Sequence, residues 1–331
     1  MSNPEHTPID ADDSPFEVRS DVEITRAERY RQWVDRSLLA PLRIAAEDWR
    51  TVVGWSIMFG YLLMGTLGVL LVEPTSQNDG ADLVGPFQTM EFPLGTNGVG
   101  EDIFAKIVHA TPEVLLMSLT GATIAVLLAI LVGVSAGYVG GLTDRVLSTL
   151  IDSQIAIPGL PLVILLAIFL EPKDPFVIGF ILSIDGWPGL ARALRSEVLS
   201  VKNESYVEAA QIMGDSKANI MRTDILPNLL PFIGINFMNT ARNIIFAAVG
   251  LYFIGALPYS LDNWGIMLNK AYNSTALFVP DAFHWLLFPM LAIVVYSAGL
   301  VLIAQGTDRL FNPRIRAKHA DTVDDEPTDA Q

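Results

Sequence analysis

Val114-Leu-Leu-Met-Ser-Leu-Thr-Gly-Ala-Thr-Ile-Ala-Val-Leu-Leu-Ala-Ile-Leu-Val-Gly-Val-Ser-Ala-Gly-Tyr-Val-Gly-Gly-Leu-Thr143 runs without one charged side chain. At about 1.5 Å per residue, about 20 helical residues cross a ~30 Å hydrocarbon core, so this stretch reaches from one face of a bilayer to the other. Thr51 to Val72 and Ala282 to Thr307 have the same character. With 51% hydrophobic residues in a chain of 331, a membrane is the expected solvent. The expected class is an all-α, polytopic membrane helical bundle.

Six crossings are expected: Thr51 to Val72, Val114 to Val139, Val146 to Leu170, Phe176 to Leu194, Leu229 to Leu257 and Phe283 to Gln305. The fourth is the weakest, because Asp185, Gly186 and Pro188 interrupt a short apolar run. Lys and Arg set the orientation. With the N-terminus inside, seventeen of them fall on inner segments, and only Lys106, Lys173 and Lys270 fall on outer ones. Arg242 is left inside the fifth crossing. Both termini are therefore expected in the cytoplasm of a multi-pass cell-membrane protein.

The tails, residues 1–48 and 309–331, hold 16 of the 36 Asp and Glu residues against 10 Lys and Arg, and read as solvated acidic segments around a transmembrane domain at 49–308. The polar first 48 residues lead us to expect no cleavable signal peptide, with the first crossing acting as its own insertion signal. No basic stripe is present, so nucleic acid is not an expected partner. The absence of cysteine excludes disulfides and thiolate metal sites. His6, His109, His284 and His319 are scattered without metal-ligand spacing.

The inner loop at 195–228 carries the most information. Ser205 to Met213 has helix-forming composition, with Val207, Ala210 and Ile212 or Met213 near one face. Gly214 suits a helix C-terminus, and Asp215 or Ser216 suits the cap of the next helix. Ile220, Ile225 and Leu226 supply further apolar contacts until Pro227 stops the pattern. A short helix, a turn and a second short helix project from the bundle, an element suited to docking on a partner.

This loop resembles that of the permease subunits of ABC importers, through Glu208, Ala209, Ala210, Gly214, Leu226 and Pro227, with Asn228 also fitting. Further matches point to the second, shorter permease of the dipeptide, oligopeptide and nickel branch. They are Pro93 to Asn97 with Gly100 and Asp102, Gly137 to Gly141 with Asp144, Asp152 with Pro158, Gly186 to Gly189 with Ala191 and Arg192, and Trp264, Gly265, Met267 and Leu268. Departures include Asn97 where the branch usually has Asp, Glu101 where it has Arg, Asp224 where it has His, and an unusual segment at Glu73 to Glu91.

The resemblance implies a type I, MetI-like permease fold in a binding-protein-dependent importer, with peptides as the leading cargo. It implies a second homologous permease, two ABC ATPase subunits and an extracytoplasmic solute-binding protein as partners, besides membrane lipid. Asp215 to Asp224, including Ser216, Lys217 and Ile220, would act as the coupling helix. The chain has no Gly-Lys dipeptide, hence no phosphate-binding loop of the Gly-x-x-x-x-Gly-Lys type. No cofactor is expected on this chain, ATP and Mg²⁺ belonging to the partner ATPases, and no enzymatic activity of its own is expected.

A lone cation inside a bilayer costs about 2.5 to 3.5 kcal/mol, so Arg242 should face a cavity or pair with Asp152 or Asp185. Asn236, Asn239 and Asn243 share a helical face beside it. The stripe reads either as a pathway lining or as interhelical hydrogen bonding. Gly133-Val134-Ser135-Ala136-Gly137 matches a nucleophile-elbow pattern, but it lies in a helical run and reads as helix packing through Gly133 and Gly137. An ion-coupled transporter is the rival reading, and it would be expected to show an inverted repeat, which the sequence lacks.

Overall fold

The computed structural model describes residues 48–258, 263–274 and 276–310, so both acidic tails lie outside the described residues apart from their innermost positions. Helix α1 (Trp49–Leu63) is capped by Asp48, whose carboxylate accepts from the Arg50 N–H at 2.9 Å, and continues through a π turn (Met64–Gly68) to Leu71. It is followed by α2 (Ile103–Val139), α3 (Gly141–Ala156), α4 (Gly159–Leu170) and α5 (Pro175–Val201). Then come α6 (Ser205–Ile212), α7 (Lys217–Ile220), α8 (Leu226–Phe253), α9 (Trp264–Asn273) and α10 (Phe283–Leu310). Among the described residues the only β pairing is an isolated bridge between Thr96 and Asp102.

Among the described residues, five helical stretches are long and apolar enough to cross a membrane, and the bent pair α3 and α4 makes a sixth when counted as one span. The expected third crossing is therefore broken. The two helices meet at 81°. The cause is local: Pro158 disfavours the helical region for the residue before it, and Ile157 is extended at φ −80, ψ 127. Conversely, the doubtful fourth crossing is one unbroken helix of 27 residues that absorbs Pro188. Asp174 caps it by accepting from the Phe176 N–H at 2.7 Å, with Pro175 in the first turn.

Helix α2 starts at Ile103 rather than near Val114, because Asp102 caps it and Pro112 is carried inside it. The segment between the first two expected crossings therefore ends at Asp102 rather than just before Val114. At the other end of the bundle, Pro227 does not stop a helix. It occupies the first turn of α8, which continues from α7 through a π turn (Met221–Ile225).

Helices α2 and α5 run parallel and form the most extensive pair. Gly121 stands against the Gly179 carbonyl, Gly133 against Ala191 and Gly137 against Val198. Absent side chains let the two backbones approach, which is how membrane helices gain dispersion energy without a hydrophobic driving force. Helix α1 is attached mainly to α10, through Gly54 against Gly299 and Ile303 and through Gly306 against Thr51.

Two clusters of buried side chains divide the core. One, holding Tyr61, Trp264 and Tyr296, lies toward the end that carries α9 and residues 73–102, called here the cap end. Tyr61 donates to the Ala292 carbonyl at 2.6 Å and meets the Tyr296 ring edge-on at 5.2 Å. The other, holding Trp187, Leu194 and Val198, lies toward the end that carries α6 and α7, the hook end.

Candidate functional site

The hook is built from α6, the turn at Gly214, α7 and the π turn. Gly214 has φ +84, a left-handed conformation that glycine adopts without strain. Its N–H donates to the Gln211 carbonyl and that of Asp215 to the Ala210 carbonyl, both at 3.1 Å, closing a Schellman motif. Ser216 then caps α7, accepting from the Asn219 N–H at 3.2 Å, while Asp215 makes no side-chain cap.

One face of the hook is anchored. Val207, Ala210, Ile220 and Ile225 are buried in the cluster that holds Leu194, Val198 and Leu229. Asn228 braces the two arms by donating to the Tyr206 hydroxyl at 3.2 Å and to the Asp224 carbonyl at 2.6 Å. Burial, reinforced by the carboxylates of Glu204 and Asp224, pushes the Tyr206 phenol above its ordinary pKa, so it remains protonated. Leu226 and Pro227 lead out of the hook into α8.

The other face is open. Every residue from Gln211 to Asn219, Lys217 included, is exposed, with Ile212 at 80% and Met213 at 77%. The expected apolar face is thus split: Val207 and Ala210 face the bundle, and Ile212 and Met213 face outward. Glu208 and Ala209 are exposed too, and the Glu208 carboxylate makes no hydrogen bond or ion pair with the described residues.

On α8, Ile233, Ala241, Ile244, Ile245 and Ala248 are buried. Asn236, Asn239 and Arg242 are half-buried on the other side, and Asn243 is exposed there. Asn236 donates to the Phe232 carbonyl at 2.8 Å, a bond within its own helix. Arg242 donates to Asn243 at 3.3 Å. Neither expected acid pairs with it. Asp152 is taken by Arg192 at 2.5 Å, because α3 lies alongside α5 at the hook end. Asp185 sits at the first turn of α4, where a Cβ on Gly159 would overlap its carboxylate.

The cap was hidden from sequence reading, because its order comes from polar contacts between distant residues. Thr96 donates to the Ala81 carbonyl at 2.6 Å and accepts from the Val84 N–H at 2.9 Å. His284 on α10 donates to the Thr96 carbonyl at 2.9 Å. Glu101, 8% exposed, accepts from Asn97 at 2.5 Å and pairs with Lys106 at 3.1 Å. Asn97 and Lys106 therefore hold the Glu101 carboxylate between them, with Lys106 supplying the positive charge. Hydrogen bonds from the Ser76 N–H and hydroxyl hold the Asp79 carboxyl below its usual range.

No group of three or more His, Asp or Glu residues converges as a metal site among the described residues. His109, like His284, donates to a backbone carbonyl, that of Val72 at 2.9 Å. Ser135 lies inside α2 between Gly133 and Gly137 of the helix seam, not on a strand-to-helix elbow.

Residues 129–317 match the family of binding-protein-dependent transport system inner membrane components. The chain is 30% identical over 225 residues to the oligopeptide transport system permease protein OppC of Bacillus subtilis, covering 67% of this chain and 72% of that one. It is 29% identical over 226 residues to the dipeptide transport system permease protein DppC of the same organism, covering 67% and 69%. Among solved structures, the inward-facing MetNI methionine ABC transporter aligns at 19% identity with a TM-score of 0.48, over 62% of this chain and 94% of that one. The chain belongs to the family of inner-membrane components of binding-protein-dependent transport systems.

Proposed function

We propose that this permease subunit forms half of the translocation pathway of an ATP-driven importer for peptides, and that its hook transmits the stroke of separate ATPase subunits. The observation that carries the reading is the two-faced hook. Val207, Ala210, Ile220 and Ile225 lock it to α5 and α8, while Ile212 and Met213 stand exposed at its tip. A rigid lever with an apolar tip passes a push on one end to the helices at the other.

Peptide cargo is supported by the names of the two Bacillus subtilis relatives. The remaining parts follow from the mechanism: a second homologous permease, two ATPases holding ATP and Mg²⁺, and a solute-binding protein that docks at the cap. The excess of Lys and Arg toward the hook end supports a cytoplasmic hook and cytoplasmic termini. The segments 1–48, 49–308 and 309–331 serve as tail, transport domain and tail, and Asn236, Asn239, Arg242 and Asn243 line the pathway.

The chain has no cysteine of its own, so Ile212→Cys introduces a single thiol. A bifunctional thiol reagent should join it to an ATPase subunit of the assembled importer. Failure to crosslink from Ile212→Cys, Met213→Cys and Lys217→Cys alike sinks the coupling role. Asn239→Leu should lower transport without lowering assembly. Unchanged transport removes the stripe from the pathway.

A further inference from the structure

Three helices lose their regular backbone bonding at one depth. In α1 the irregularity is the π turn at Met64–Gly68, which interrupts the i→i−4 ladder. In α2 it is Pro112, which has no N–H to give the Val108 carbonyl. A Cβ on Gly65 would lie 3.5 Å from the Pro112 nitrogen, so these two irregularities stand side by side. In α10 it is Pro289. Thr51 faces Gly306, Gly54 faces Ile303 and Ile57 faces Gly299, a register that, continued toward the cap, sets Pro289 opposite Leu67 in the π turn. Pro188 in α5 and Pro231 in α8 lie far from this level, toward the hook.

On the cap side of the level, polar contacts bind the segments into one body. His109 in α2 donates to the Val72 carbonyl and His284 in α10 to the Thr96 carbonyl, both at 2.9 Å. Trp264 in α9 donates to the Ile107 carbonyl at 3.3 Å. On the hook side, Tyr61 ties α1 to α10 through the Ala292 carbonyl. Across the level, the Trp264 ring meets the Tyr61 and Tyr296 rings at 5.6 and 6.2 Å between centroids, contacts that slide without losing a hydrogen bond.

Helix α8 alone passes the level unbroken. Ser118, on the hook side of Pro112, donates to the Ala241 carbonyl, and α8 runs on from there to Phe253. The Phe253 carbonyl accepts from Asn269 in α9 at 2.5 Å, so the cap is seated on the end of α8.

Sharp helix bends occur at prolines and π turns. A body carried on three helices tilts only where all three yield together, because breaks at different depths would bend each helix and still lock the body. We propose that the level of Gly65, Pro112 and Pro289 is a hinge, on which the cap rocks as one body about the end of α8 and so opens and closes the outer end of the bundle. The hinge belongs to the chain's own mechanics and stands whatever the cargo and whatever grips the hook. Ile103, nine residues from Pro112, is about 14 Å beyond the hinge, so a bend of about 20° swings it by about 5 Å.

The test uses the assembled importer in nanodiscs, with partner subunits free of cysteine and pairs of spin labels placed on exposed helical positions of this chain, which has no cysteine of its own. Lys270→Cys with Leu131→Cys spans the hinge, Lys270→Cys with Leu70→Cys lies within the cap, and Leu131→Cys with Phe59→Cys lies within the bundle. Electron–electron distance measurements are made without nucleotide and after trapping with ATP and vanadate. The spanning pair should show a broader distribution than the other two and shift by about 5 Å on trapping, while the other two hold. Pro112→Ala with Pro289→Ala restores both N–H groups and should cut the breadth and the shift at least about twofold, and Pro231→Ala should change neither.

A spanning pair as narrow as the other two in both states overturns the hinge. So does a cap pair that varies as much as the spanning pair, since the cap is then not one body, and so does a double proline variant that behaves as the parent. A broad spanning pair that the double variant narrows but trapping does not move supports the hinge and counts instead against the hook as its drive. If the double variant fails to assemble, Pro112→Ala alone decides.

Discussion

Arg195 on α5 donates through Nε and Nη2 to the two carboxylate oxygens of Asp144 on α3, at 2.6 and 2.8 Å, and Ser148 donates to the same carboxylate at 2.9 Å. This two-pronged pair, about a quarter exposed on each side, ties the start of the bent α3 to the helix that supports the hook. Arg195→Lys keeps the charge and loses the fork, and should cost about 1 kcal/mol. Asp144→Ala leaves a guanidinium without its counter-charge and should cost about 2 kcal/mol. Thermal unfolding in detergent, followed by loss of the monodisperse peak, ranks the two. Equal melting of both variants and the parent shows that the pair adds no stability.

The glycine seam makes a sharper prediction. A Cβ on Gly133 would run into the Ala191 backbone, whereas one on Gly189 meets nothing within 4 Å. Gly133→Ala should therefore destabilise the bundle by about 1–3 kcal/mol through overpacking. Gly189→Ala, also inside a helix, should be neutral or stabilising by up to about 1 kcal/mol. The same melts compare them. A Gly133→Ala variant as stable as Gly189→Ala means that α2 and α5 do not approach as closely as the seam requires.

These contrasts show what the sequence could carry. Val114 to Thr143 announced a crossing helix because an uncharged run has one solvent it suits, and the Gly133 and Gly137 spacing announced a packing face because small residues are one-dimensional information. The break at Pro158 was foreseeable from the X-Pro rule, yet Val146 to Leu170 reads as a single apolar run, and apolarity hides direction. Glu113, just outside the expected second crossing, lies well inside α2, because the helix begins at the Asp102 cap rather than where charges cease. The hook was legible through local capping chemistry at Gly214 and Ser216. Which of Val207, Ala210, Ile212 and Met213 turns inward depends on the position of α5, and the pairing of Asp152 with Arg192 rather than Arg242 depends on where α3 lies.

In the cap, Glu101 and Lys106 have side chains only 10% and 12% exposed and stand 3.1 Å apart. Lys106→Met strips the counter-charge from a buried carboxylate and should destabilise the cap by about 3 kcal/mol. Adding Glu101→Gln removes the stranded charge, so the double variant should regain most of that loss. Limited proteolysis within residues 73–102 measures it through the rate of cleavage. A double variant cleaved as fast as Lys106→Met alone refutes the compensation between these positions.

Gly214 separates folding from coupling. Its φ of +84 penalises any side chain, but nothing lies within 4 Å of the position a Cβ would take, so the cost is conformational alone. That cost is about 1–2 kcal/mol for Ala and more for the β-branched Val, with Asn tolerated best. The penalty falls on the Schellman turn, which sets the angle between α6 and α7 and hence where Ile212 and Met213 point. Gly214→Val should leave membrane insertion and the melting of the helical bundle intact while co-purification of the ATPase subunits falls, and Gly214→Asn should lie between it and the parent. Ile212→Ala, which removes an 80% exposed side chain, should weaken the same co-purification with no effect on the melt. If Gly214→Val retains its ATPases at parental yield, the hook's geometry is not what they grip.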